Sequence, residues 1–286
     1  MQRFSIAIFQ FKKVVMRLLT TILLFFLLLG QHTYSQCVER NYTTRDGEWA
    51  HYNAYYNWHF VWMNAADVFF SPSALGKDNL LIESTGKTKS GYDWFFSVRD
   101  TFQSVVDVHT LRPRSFRQSN YEGKTVTTSE YIYNDVDSTL TAESIQRKGN
   151  KKPLKTSYNG KWDLCAADVL TMVYKARNID FENYKPGDII PMSLIINSEI
   201  FDLFIRYHGK EQASTRDGRT YDCLKFTPLL VEGTIFSGGE DMTVWVTDDE
   251  NRVPIIVEAK VLIGSVKAIL DECRGTRSPL TVVSKK

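Results

Sequence analysis

Histidine, cysteine and carboxylate side chains carry most enzyme chemistry, and in this chain they are thinly spread. His51 and His59 stand eight residues apart in "EWAHYNAYYNWHF". On a regular strand that separation is about 26 Å, far beyond joint ligation of a metal. Only a turn near Asn57 would bring the two together. His109 and His208 add neither an H-x-H nor an H-x-x-x-H spacing, so no metal site is expected. Asp93, Asp100 and Asp107 recur every seven residues, and alternation along a strand puts Asp100 on the face opposite the other two. A glycosidase pair needs two carboxyls roughly 5–10 Å apart across a cleft. These three instead read as partners for turns and for Arg99, Arg112 and Arg114. Ser237 in "FSGGED" lacks the G-x-S-x-G elbow, and the same stretch lacks the lysine and helix start of a phosphate loop. Cys165 has no histidine close in sequence, so a disulfide or core role is expected before a nucleophilic one. No catalytic residue and no cofactor follows from these patterns.

Two groups of residues remain. The first is the cysteines Cys37, Cys165, Cys223 and Cys273, too widely spaced for zinc-ribbon pairs. An even count suits disulfides in an oxidising compartment. Pairing Cys37 with Cys165 and Cys223 with Cys273 is the preferred arrangement, and buried free thiols are the other reading. The second group is aromatic. Residues 48–64 alone hold seven rings and two histidines. Such rings serve first as core and cross-strand pairs. As a ligand-binding platform the candidates are Trp49, Tyr52, Trp58, Phe60, Trp62, Trp94, Tyr174 and Trp245, with Trp58, Phe60 and Trp62 placed where a hairpin turn exposes them.

The N-terminus changes the charge balance. Arg3, Lys12, Lys13 and Arg17 precede the apolar run "LLTTILLFFLLLG", too short for a bilayer span but suited to a signal peptide. Thr33 and Ser35 satisfy the small-x-small rule for a cut before Gln36. Met16 with Arg17 makes a compact signal by itself, so the true start is Met1 or Met16. Ser35 and Gln36 do not suit lipid attachment at Cys37. Residues 1–35 hold four of the 35 basic residues and none of the 33 acidic ones, which leaves 31 against 33, a net charge of −2. With no Lys/Arg block, nucleic acid and anionic lipid are not expected partners. The expected location is the periplasm or beyond, with no transmembrane span in the mature chain.

The elements that must position these residues are mostly strands. Apolar residues repeat every second position, with turn chemistry in "SPSALGKDN", "YEGK" and "NDVDS". Strands are expected at 48–57, 65–71, 79–86, 94–106, 114–121, 125–134 and 138–146, then at 189–196, 199–207, 221–230, 242–247, 255–262 and 265–270. The basic stretch "RKGNKKPLKTSYNGK" between the two sets reads as a loop. One segment departs: "DVLTMVYKARNID" puts Leu170, Val173, Tyr174 and Arg177 at helical spacing, with Asp168 as N-cap. The fold class is therefore mainly β, a curved antiparallel sheet or open barrel or sandwich with one short helix near the middle. Residues 36–286 are expected as one β-rich domain, with halves at about 36–150 and 160–286 as the other arrangement.

"GEWAHYNAYYNW", "VRDTFQSVVDVHTLRPRSF", "ADVLTMVYKAR", "YKPGD" and "VWVTDDENRVPIIVEAKVLIGSVKAIL" occur in an order that resembles the bacterial exported family catalogued as domain of unknown function 3108. The resemblance covers about residues 45–275. It implies an exported, envelope-associated β-rich protein and supplies no activity and no catalytic residues.

Two functions are expected first from these readings, with an enzyme as the third class. The first is a non-catalytic envelope protein that binds an apolar or lipid-like ligand in its curved sheet, with the helix as a lid over a wall of Trp49, Tyr52, Trp94, Leu170, Tyr174 and Trp245. The second is a structural or interaction protein of the envelope or its polysaccharide machinery, without a small-molecule ligand. A carrier needs an apolar concave face left empty.

Overall fold

The computed structural model describes residues 40–58, 61–93, 97–231, 238–261 and 264–285. The first half of the chain forms β1 (Trp49–Trp58), β2 (Val61–Leu75), β3 (Asn79–Thr88), β4 (Val98–Asp107), β5 (Pro113–Glu122), β6 (Thr125–Asn134), β7 (Thr139–Lys148) and β8 (Leu154–Lys161). After β9 (Ala167–Asp168) comes the helix α1 (Val169–Ala176). The second half forms β10 (Ile189–Ile196), β11 (Glu199–Ser214), β12 (Arg219–Pro228), β13 (Met242–Thr247), β14 (Pro254–Lys260), β15 (Ser265–Arg274) and β16 (Ser284–Lys285).

All described strands belong to one sheet, in the order β8-β7-β6-β5-β4-β3-β2-β1-β15-β14-β13-β12-β11-β10-β9, with β16 on β12. Every pairing is antiparallel except the short one between β9 and β10. The sheet is curled but unclosed. Where its ends approach, side chains take over from ladder bonds. Thr156 on β8 donates to the Asn197 carbonyl at 2.6 Å, and Ser198 meets Ser144 at 2.9 Å and Tyr131 at 3.3 Å.

The inner face follows from alternation. Ile82, Ser104, Phe116, Tyr131 and Ala142 stand opposite one another across β3 to β7 and are all buried. Most of their sequence neighbours point outward and are polar, Leu81, Val105 and Ile132 being the exceptions, which is the alternation of a half-buried sheet. Two differences from expectation have physical causes. The stretch read as a basic loop contains β8, whose side chains are largely exposed. It is an edge strand, and edge strands carry lysines and small polar residues that discourage further pairing, which erases the apolar pattern. The strand expected from residue 94 begins at Val98, and Trp94 lies outside the described residues.

α1 spans 169–176 and packs on the sheet, as its spacing predicts. Its buried face is Leu170, Thr171, Met172, Tyr174 and Lys175, while Val173 is exposed. The helical spacing that grouped Val173 with Leu170 and Tyr174 therefore does not carry it into the core. An eight-residue helix is marginal by itself, and the hydrogen bonds of Asp168 fix which side faces the sheet.

Candidate functional site

The densest polar chemistry lies where α1 meets the inner face. Asp168 is fully buried. Its carboxylate accepts from the Thr171 backbone at 2.8 Å, the Thr171 hydroxyl at 2.8 Å, Ser104 Oγ at 2.7 Å and Tyr133 OH at 3.4 Å. The N-cap thus also joins the helix to β4 and β6. Burial pushes the Asp168 carboxyl up and those hydrogen bonds oppose it. Two turns on, burial pulls the Lys175 ammonium down to about 8. At the far end of the helix Arg177 is buried against Glu48, at 2.5 and 3.0 Å. It also donates to the Asn251 carbonyl at 2.8 Å and lies over the Tyr174 ring. One guanidinium therefore pins α1 to the start of β1 and to the β13–β14 connection. Geometrically this is a clamp, because every donor and acceptor points at another part of the same chain.

Beneath the helix the space is filled. Phe116, Tyr131, Tyr133, Leu140, Trp162, Leu170 and Tyr174 belong to one buried cluster. Tyr133 meets Trp162 edge-on at 4.9 Å, and Phe116 lies 4.9 Å from Tyr131. The wall expected around α1 is brought together only in part. Tyr174 and Leu170 are in this cluster, whereas Tyr52 is buried in a neighbouring one, with its hydroxyl on the Pro254 carbonyl at 3.0 Å.

The remaining aromatic candidates stand elsewhere. Alternation turns Trp49 away from Tyr52 onto the outer face, where Arg274 lies 4.4 Å above its ring. Trp62 sits under Lys267, and Trp245 sits under Lys225 with its indole nitrogen donating to Glu211 at 3.3 Å. These rings serve as seats for cations, and Trp245 also packs against the buried cluster that holds Tyr52. Trp94 and Phe60, and the side chain of Trp58, lie outside what is described.

His51 stacks on Phe69 at 4.6 Å, with Asp67 and Asp271 on its two ring nitrogens at 2.9 and 3.1 Å. Its pairing with His59 falls outside the described residues. Among the described residues no group of three or more His, Cys, Asp or Glu side chains has the geometry of a metal site. Asp93 pairs with Arg99 at 2.6 Å. Asp107 caps the turn at His109 and Thr110 and reaches Arg114 at 3.3 Å. Asp100 points inward, opposite in facing to Asp107.

Cys223 and Cys273 are free thiols, which corrects the expected bridge between them. They stand on β12 and β15, three strand spacings or about 14 Å apart along the sheet, against the 4.4–6.8 Å between Cα atoms that a disulfide allows. Burial pushes both thiols up to about 12, so neither is poised as a nucleophile. Cys37 lies outside the described residues.

On the outer face, β4 to β7 form a depression of about 640 Å³ lined by Gln103, Arg117, Glu130, Ile132, Thr141 and Glu143 among others. Its charges are matched: Arg117 with Glu130 at 2.8 Å and Lys155 with Glu143 at 2.6 Å. Sequence reading missed both this surface and the Glu48–Arg177 pair. Glu48 stands in "RDGEW" and Arg177 in "YKARN", where charges are ordinary, so nothing in the sequence marked the pair.

No helix among the described residues is long and apolar enough to cross a membrane. A comparison with curated proteins gives no match. Among solved structures the chain is similar to a beta-barrel-like protein of domain of unknown function DUF1849 from Brucella abortus, at 7% identity and a TM-score of 0.51, over 84% of this chain and 99% of that one. That likeness concerns the fold alone. Residues 51–271 match the family model described as protein of unknown function (DUF3108), and the chain belongs to that family.

Proposed function

We propose that this protein is an exported, non-catalytic component of the cell envelope that works as a structural or interaction protein, through its outer surface rather than by carrying a ligand inside its sheet. The observation that carries the reading is the filled inner face beneath α1, where Phe116, Tyr131, Tyr133 and Trp162 occupy the room a carrier leaves empty. Export is supported by the basic N-terminus, the short apolar run and the small-x-small site before Gln36. A bridge between Cys37 and Cys165 fits the same compartment: with Cys223 and Cys273 free, these are the two cysteines left to pair. Absence of catalysis is supported by placement, since Asp93, Asp107 and His51 are engaged in ion pairs, a turn and a ring stack on separate parts of the sheet.

Titration of the purified mature protein with 1-N-phenylnaphthylamine, whose fluorescence rises in apolar surroundings, tests this reading. No saturable rise is expected. Saturable binding at micromolar concentration would favour an internal carrier.

A further inference from the structure

At the end of the sheet remote from α1, the inner face turns from apolar to polar. Asp100 on β4 stands directly opposite Asn120 on β5, and Glu122 lies two positions further along the same face. Directly opposed side chains of antiparallel strands start from Cβ atoms only about 4.5–5.5 Å apart. Asp100 Oδ1 and Asn120 Oδ1 are both buried without a hydrogen-bond partner among the described residues. Two buried acceptors facing each other are an unfavourable pair unless a hydrogen lies between them. Among the described residues no other side chain opposite this pair supplies that hydrogen. On β3 the residue opposite Asp100 is Gly86, which has no side chain. On β6 the residues opposite Asn120 and Glu122 are the uncharged Thr127 and Thr125. Arg99, the nearest guanidinium along β4, is held by Asp93 and Thr88.

We propose that Asp100 is a neutral carboxylic acid that donates its proton to the Asn120 amide oxygen, making this end of the sheet a pH-sensitive fastening between β4 and β5. The chemistry around it agrees. Burial, then the neighbouring Glu122 carboxylate, push Asp100 up to about 7, against the Tyr121 backbone N–H. Burial raises Glu122 as well. A carboxyl whose folded pKa lies above its unfolded value adds stability that is complete below the unfolded value, near 3.8. That addition is lost as pH rises through about 7. The fastening is therefore tight in mildly acidic surroundings and released in alkaline ones.

The test is carbon-13 NMR of the aspartate side-chain carboxyls in the mature protein, with Asp100→Asn used to assign the signal. Asp100 is expected to titrate near pH 7. In Asn120→Ala the midpoint falls by about one pH unit, because the partner that favours the protonated form is gone; burial alone would leave it in place. Asp100→Asn, which keeps a donor facing Asn120, should flatten the fall in melting temperature between pH 5 and 8. A wild-type midpoint below 5 would overturn the proposal, since it would mean that the Asn120 amide is turned over and donates to an ionised carboxylate. An unmoved midpoint in Asn120→Ala would overturn it equally, even if Asp100→Asn fails to fold.

Discussion

Arg177 and Glu48 bury opposite charges at 4% and 3% side-chain exposure, so each depends on the other. Removing one partner from a buried pair strands the other's charge, at about 3–5 kcal/mol, whereas replacing both with apolar residues of similar size is often neutral. Arg177→Met is therefore expected to lose about that much in chemical denaturation, and the double variant Arg177→Met/Glu48→Leu to recover most of it. If the double variant is no better than the single, the pair is not the clamp described here. Asp168 makes a second case. A surface N-cap contributes about 1 kcal/mol, but the side-chain bonds to Ser104, Thr171 and Tyr133 add to this, at about 1 kcal/mol net for each buried bond. Asp168→Ala should cost about 2–4 kcal/mol, lowering Tm by roughly 5–12 °C in a domain of this size. A loss confined to about 1 kcal/mol would reduce Asp168 to an ordinary cap.

α1 is a plug, and its two faces should respond differently to mutation. Leu170→Ala, on the buried face, is expected to cost about 2–5 kcal/mol, while Val173→Ala or Val173→Glu, on the exposed face, should stay within about 0.5 kcal/mol. A comparable loss at Val173 would restore the face expected from sequence, with Leu170, Val173 and Tyr174 packed together. How far each element could be read in advance depends on what holds it. α1 was legible because its cap and its apolar spacing lie within ten residues of each other. The paired strands of both halves were legible by alternation, which also placed Asp100 facing opposite to Asp107. β8 was not, because an edge strand protects itself by looking like a loop. The Glu48–Arg177 pair was not legible either, since its members lie 129 positions apart and meet only after the sheet has curled. Trp49 misled for a related reason: an aromatic ring looks the same in sequence whether it fills a core or supports a cation on the surface.

At the scale of the whole molecule, one sheet of antiparallel strands curls until β8 approaches the turn between β10 and β11, with Thr156, Ser144 and Tyr131 bonding to residues 197 and 198. The interior at the α1 end is closed by side chains. An open barrel built this way can serve as a container or as a rigid body that displays its outer surface, and the difference is whether anything travels inside. Native mass spectrometry of the full-length chain, exported and purified from the bacterial envelope without added ligand or stripping, reads this directly. The expected species is the 251-residue polypeptide that begins at Gln36 (286 less the first 35), with no bound small molecule. A stoichiometric adduct of lipid-like mass, released on collisional activation, would contradict the proposed function and identify the protein as a carrier.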